Sequence, residues 1–184
     1  METHRIFIAI NLPAKVKQEL LGYKEKWPEL PARWTKPENL HVTLVFLGNT
    51  SEQEVREVKK IASQVAARHN PFSFSLSKIM YGPSLKQPRM LWAVGKMPKE
   101  LSSLQEDLAG ALGHHEEYLF SLHITLARLN EWGFRGIEPE ERPQIDEKLS
   151  LEVPVSSFEI MESRLKRGGA EYTLVEQLPL SLAR

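Results

Sequence analysis

Leu40-His41-Val42-Thr43-Leu44 and Leu122-His123-Ile124-Thr125-Leu126 repeat one pattern at two distant points of the chain. Each sets a histidine and a threonine two positions apart among aliphatic and β-branched residues. On an extended strand, residues i and i+2 share a face, so imidazole and hydroxyl point one way while leucine, valine or isoleucine fill the other. Two such strands brought together present two imidazoles to one cleft.

Outward from the first copy, Leu40 to Leu47 is predicted as a strand that stops at Gly48-Asn49, with Leu40, Val42, Leu44 and Phe46 on one face. Before it, Arg5 to Leu12 reads as a strand and Pro13 opens a helix striped by Val16, Leu20, Leu21 and Tyr23. Pro28, Pro31 and Pro37 make the intervening stretch a loop. After it, Thr50 or Ser51 caps a helix carrying Val55, Val58, Ile61, Ala62 and Val65, and Phe72, Phe74 and Leu76 begin another strand.

The second copy has a similar setting. Met90 to Val94 suits a buried strand, and Pro98 opens a helix with Leu101, Leu104, Leu108 and Leu112. Leu122 to Leu129 is the second motif strand, followed by an irregular segment rich in glycine and proline. The C-terminal part reads as three strands, the last two joined by a hairpin at Lys166-Arg167-Gly168-Gly169, where glycine supplies positive φ. A strand and a helix therefore precede each motif strand, which suggests two pseudo-symmetric lobes, although the halves share little sequence outside the motif.

The chain has 184 residues, enough for one domain with a sizeable core, and its 41% hydrophobic and 26% charged content is that of a globular protein. Lysine plus arginine equals aspartate plus glutamate at 24 each, so no net field draws in long nucleic acid, which leaves a small anion or a nucleic-acid end as partner. The absence of cysteine excludes disulfides, thiolate zinc sites and cysteine nucleophiles. Met1-Glu2-Thr3-His4-Arg5 leads directly into a strand without an apolar signal segment, and no apolar run reaches transmembrane length, so a cytoplasmic protein with no membrane partner is expected.

Imidazole holds or releases a proton near neutrality, so two histidines can divide the work of acid and base in one turnover. A threonine beside each offers a hydroxyl to the oxygens of a tetrahedral anion. Phosphoryl transfer is the matching chemistry. The sequence has no glycine-rich phosphate loop and no acidic cluster spaced for Mg²⁺, so the expected reaction needs no metal and no cofactor.

With Arg5-Ile6-Phe7-Ile8-Ala9-Ile10, Glu38-Asn39-Leu40, Phe46-Leu47-Gly48 and Ala127-Arg128 around them, the two motifs resemble those of the two-histidine phosphoesterase superfamily, in particular its RNA 2′,3′-cyclic phosphodiesterases, first described as 2′-5′ RNA ligases. The resemblance runs through nearly the whole chain. It implies an α+β, bilobal catalytic domain over 1–184, with two antiparallel sheets facing a central cleft, one motif from each lobe, and helices outside. It also implies opening of a 2′,3′-cyclic phosphate at an RNA end to a 2′-phosphate, with 2′-5′ ligation as the reverse reaction. By position, His41 resembles the proton donor to the 3′ oxygen and His123 the proton acceptor from water, while Thr43 and Thr125 would hold phosphate oxygens.

Arg128 matches an arginine of the family that would neutralise the phosphate. Simple alternation puts it on the face of Leu122, Ile124 and Leu126, so a bulge or the strand end has to turn it to the cleft. Phe7 is a candidate for stacking on a base, against an ordinary core role. Trp34 could shape the cleft rim, and Arg164, Lys166 and Arg167 could touch an RNA backbone or simply be solvated. His114 and His115 are adjacent on a loop, without cysteine or a carboxylate pattern of metal-site spacing, so no metal is expected there. The expected partners are RNA 3′ ends or small nucleotides, bound by a monomer. Two alternatives stay open: a phosphodiesterase acting on another 2′-5′ or cyclic nucleotide bond, and an RNA-end binding module without turnover.

Overall fold

The computed structural model describes residues 3–114, 119–167 and 169–181. Strand β1 (Thr3–Asn11) has five consecutive buried residues, Ile6 to Ile10, because both its faces are covered. Pro13 ends it and precedes helix α1 (Ala14–Gly22), which buries Val16 and Leu20. The proline-rich stretch that follows contains a short strand, β2 (Ala32–Trp34), which the loop reading missed: Pro31 lies just outside it, so its three residues keep the donors that pairing needs.

The first motif lies on β3 (His41–Ser51), which runs four residues beyond the predicted stop at Leu47. Gly48 does not end the strand. It takes φ +73° at an irregularity and lets the chain continue to Ser51. Ser51 caps helix α2 (Glu52–Ala66) in a capping box with Glu54, and Val58, Ala62 and Val65 are buried against the first sheet.

Then come β4 (Phe72–Gly82) and β5 (Met90–Gly95). In β5 only Leu91 and Ala93 are buried, so the run expected to be a fully buried strand has a second, open face carrying Met90 and Trp92. Pro98 precedes helix α3 (Lys99–Ala111), whose Leu101, Leu104 and Leu108 are fully buried. Loss of Leu104 to alanine would cost about 2–5 kcal/mol at such a site. The second motif lies on β6 (His123–Leu129), and the irregular segment after it holds one short helix, α4 (Glu131–Arg135). The chain ends in β7 (Asp146–Val155), β8 (Ser157–Lys166) and β9 (Gly169–Pro179). Lys166 pairs with Gly169 at φ +120° across the predicted hairpin, while Gly168 is outside the described residues.

All strand pairs are antiparallel and form two sheets, in the orders β3-β1-β8-β9 and β2-β6-β5-β4-β7. The α+β expectation and its two sheets hold, one motif strand in each. The orders match element for element: β3 and β6 carry the motifs, β1 and β5 pair with them, β8 and β4 come next, and β9 and β7 close each sheet. Strand β2 is an addition outside β6. No helix among the described residues is long and apolar enough to cross a membrane.

Candidate active site

Each motif strand bulges one residue after its threonine. Opposite β1, Ala9 pairs with Thr43 but Ile8 pairs with Val45, leaving Leu44 as the extra residue. Opposite β5, Trp92 pairs with Thr125 but Leu91 pairs with Ala127, leaving Leu126 extra. A bulge interrupts the ladder locally, and every buried carbonyl beside it still needs a partner. Buried Gln105 of α3 donates to the Leu44 carbonyl at 3.5 Å, and the Thr35 N–H donates to the Leu126 carbonyl at 2.8 Å.

The bulges reverse the alternation. Phe46, expected on the apolar face with Val42 and Leu44, turns out to the face of His41 and Thr43 and is 41% exposed, while Val45 goes inside. Arg128 turns likewise to the face of His123 and Thr125, by the bulge that its position required. Phe46 and Arg128 thus occupy equivalent places, five residues after each histidine.

His41, Thr43, His123 and Thr125 line one cavity of about 560 Å³, together with Phe7, Trp34, Phe46, Met90, Trp92 and Tyr172. Its lining includes five cations, Arg5, Arg33, Lys36, Arg128 and Lys166, and no carboxylate among the described residues. In a chain of zero formal charge, this is a strong local bias toward an anion. Arg164 and Arg167 are not among the lining residues, nor is His114, and His115 lies outside the described residues.

His41 donates its Nδ1–H to the Asn39 carbonyl at 2.7 Å, which leaves Nε2 to accept from the Thr43 hydroxyl at 2.9 Å. His123 repeats the arrangement, donating Nδ1–H to the Ser121 carbonyl at 2.9 Å. The carbonyl two residues upstream thus sets the tautomer in both halves. Around the rings the halves differ. His41 sits against Phe7 and Tyr172 at centroid distances of 5.2 and 5.3 Å, whereas His123 stacks on the Trp92 indole at 4.1 Å and 27°.

Burial pulls the His41 imidazole down to about 4, and the charges of His123, Lys17 and Arg128 push the same way against the hydrogen bond it donates to the Asn39 carbonyl. Burial also lowers His123, opposed by its bond to Ser121. The folded state resists protonation of His41 and the unfolded chain does not. Stability is therefore full above about pH 6.5 and falls as the pH drops toward 4, by on the order of 3 kcal/mol from this one group. Chemical denaturation of His41→Gln at pH 7 and pH 4 should show a pH-dependent loss smaller by that amount.

Phe7 lines the cavity but is only 4% exposed, wedged between His41 and Tyr172 at 5.2 and 4.9 Å. Phe46, with the Arg5 guanidinium 5.0 Å from its ring centre, offers more aromatic surface to the cleft. Phe46, Trp92, Tyr172 and the cations Arg5, Arg33 and Lys36 were not singled out from the sequence as site residues. Only the bulge and the sheet pairing bring them to the histidines.

The family model described as LigT like Phosphoesterase matches residues 10–92. The RNA 2′,3′-cyclic phosphodiesterase of Thermotoga maritima is 30% identical over 179 residues, 93% of this chain and 92% of its own. The chain belongs to the LigT-like phosphoesterase family. The Thermus thermophilus RNA 2′,3′-cyclic phosphodiesterase is 29% identical, with 96% of this chain and 90% of that protein covered. The solved structure of TT0787 of Thermus thermophilus superposes with a TM-score of 0.82 at 29% identity, over 96% of this chain and 97% of its own. Escherichia coli LigT complexed with 3′-AMP superposes at 0.79 and 25% identity, over 98% and 100%.

Proposed function

We propose that the whole chain acts as one two-lobed catalytic unit that hydrolyses 2′,3′-cyclic phosphates at RNA 3′ ends to 2′-phosphates. The observation that carries this reading is the convergence of two His-Thr pairs, from separate sheets, on one cation-lined cavity. The proteins named RNA 2′,3′-cyclic phosphodiesterase that share its length and sequence support the substrate.

In-line displacement at phosphorus needs a base and an acid on opposite sides of the reacting atom. His123 Nε2 takes a proton from water as the water oxygen bonds to phosphorus. His41 Nε2 donates a proton to the 3′ oxygen as the P–O3′ bond breaks, leaving a 3′ hydroxyl and a 2′-phosphate. The Ser121 carbonyl that accepts Nδ1–H opposes the effect of burial and steadies the imidazolium, which suits the group that gains the proton. A buried site flanked by cations makes protonated His41 a strong acid, which suits the group that loses it. Thr43 and Thr125 hydroxyls and the Arg128 guanidinium receive the phosphate oxygens. With a 5′ hydroxyl in place of water and the same two roles, His123 takes the hydroxyl proton as its oxygen bonds to phosphorus and His41 protonates the departing 3′ oxygen, which joins the two ends through a 2′-5′ linkage.

For base stacking, Phe46 replaces Phe7, whose ring instead steadies His41. Phe46→Ala should raise KM by roughly tenfold with kcat little changed, since stacking on one base is worth about 1–3 kcal/mol. Steady-state kinetics on a 2′,3′-cyclic nucleotide read this directly. The function itself is tested on an RNA ending in a 2′,3′-cyclic phosphate in excess chelator. Conversion to the 2′-phosphate is expected, and an intact cyclic end or a 3′-phosphate product rules the reading out.

A further inference from the structure

We infer that the rim of the cleft holds a second anion subsite, built from Arg33, Lys36 and Lys166, for the backbone phosphate on the 5′ side of the terminal nucleotide. The inference rests on the cyclic-phosphate reading above and names which part of the RNA the protein holds beyond the reacting end.

Two segments distant in sequence, residues 33–36 and the β8–β9 hairpin, bring these cations together. Arg33 on β2 pairs in register with Arg128 on β6, and both line the cavity. Like charges set directly opposite on neighbouring strands repel, and among the described residues neither has a carboxylate within ion-pair distance. An anion between them removes that repulsion. Gly169 closes on the same place, with the Arg33 guanidinium carbon and two of its nitrogens 3.5–3.8 Å from where a side chain on this glycine would start. Lys166 pairs with Gly169 across the hairpin, and Asn39 Nδ2 donates to the Ala170 carbonyl at 2.8 Å, tying the tip to the loop that carries Lys36.

Glu171, which bonds Lys166 and lies in the field of Lys36, is the carboxylate that faces this cluster among the described residues. One carboxylate against three cations leaves a net positive rim, continuous through Arg33 and Arg128 with the histidines. A groove of this kind follows a single-strand backbone without reading its sequence. The cyclic phosphate sits at the histidines, so the phosphate that reaches the rim is the next one along the chain.

The test compares a nucleoside 2′,3′-cyclic phosphate, its 5′-phosphorylated form and a trinucleotide ending in the cyclic phosphate. Adding the 5′-phosphate should raise kcat/KM about tenfold, and each phosphate neutralised should steepen the log–log salt dependence by about 0.7. The triple variant Arg33→Gln, Lys36→Gln, Lys166→Gln should return the two longer substrates to the level of the nucleoside, so that the ratio of their kcat/KM to that of the nucleoside falls from about tenfold to about one, whatever the loss on the nucleoside itself. Glu171→Gln, which frees Lys166, should act in the opposite direction. Equal kcat/KM with and without the 5′-phosphate, or an equal loss on all three substrates in the triple variant, overturns the subsite. Fluorescence anisotropy with a labelled trinucleotide ending in a 2′-phosphate reads the subsite without turnover. An inert protein whose binding still depends on the three cations removes the hydrolytic reading and keeps the subsite. Binding indifferent to them removes the subsite.

Discussion

Replacing His41 by alanine lowers kcat on a 2′,3′-cyclic phosphate by about 10²–10⁴, and His123→Ala lowers it by a similar factor. Proton donation and proton removal occur in one step, so losing either leaves the other with little to do, and the double variant falls little further. Each imidazole hands its Nδ1–H to a backbone carbonyl and keeps Nε2 for the cleft, so alanine deletes the reacting nitrogen itself. The pH profile carries the same information. Both imidazoles lie below the ordinary histidine range, so above about pH 6.5 the free enzyme keeps neither proton, and kcat/KM should fall tenfold per pH unit. Single-turnover rates of the two variants, with circular dichroism to show that they fold, decide the matter. Undiminished turnover in both would remove these residues from the chemistry.

Gly82→Ala is expected to lower kcat by about tenfold to a hundredfold although residue 82 bears no side chain toward the cleft. The Trp92 indole lies flat against this glycine on one side and against the His123 ring on the other. A Cβ at position 82 would come within 2.3 Å of Trp92 Cδ2 and 2.4 Å of Cε3, so the indole has to move, and moving it breaks its stack on the imidazole. A displacement of about 1 Å at a reacting group costs that order of rate. Gly110→Ala is the control. That glycine is on α3 with nothing within 4 Å of its would-be Cβ, so the change should leave kcat alone and stabilise the helix by about 0.5–1 kcal/mol. Indole fluorescence together with kcat tests the pair, and normal turnover in Gly82→Ala would show that the stack is not needed to hold His123.

The two halves of the molecule show where local pattern stops being informative. Strand alternation is a property of the chain itself, so the shared face of each histidine and threonine, the stripes of α2 and α3 and the glycine hairpin are visible in the residues. The short strand β2 was hidden because three residues between prolines carry almost no periodicity. The full length of β3 was hidden because Gly48, a stop signal in isolation, acts as a bulge when β1 lies alongside.

What the sequence by itself determined was the strand character of the two motifs, their common polar face, the α+β class and, through the family resemblance, the two-sheet arrangement. Which residues stand beside the histidines was decided only in three dimensions. At each bulge the carbonyl of the extra residue is bonded from a distant part of the chain, Leu44 by Gln105 and Leu126 by the Thr35 N–H. The bulges turn Phe46 and Arg128 outward, and sheet pairing adds Trp92 and Arg33. The lowered proton affinity of His41 has the same origin, because burial and the nearness of other charges are properties of the packed molecule and not of the residue.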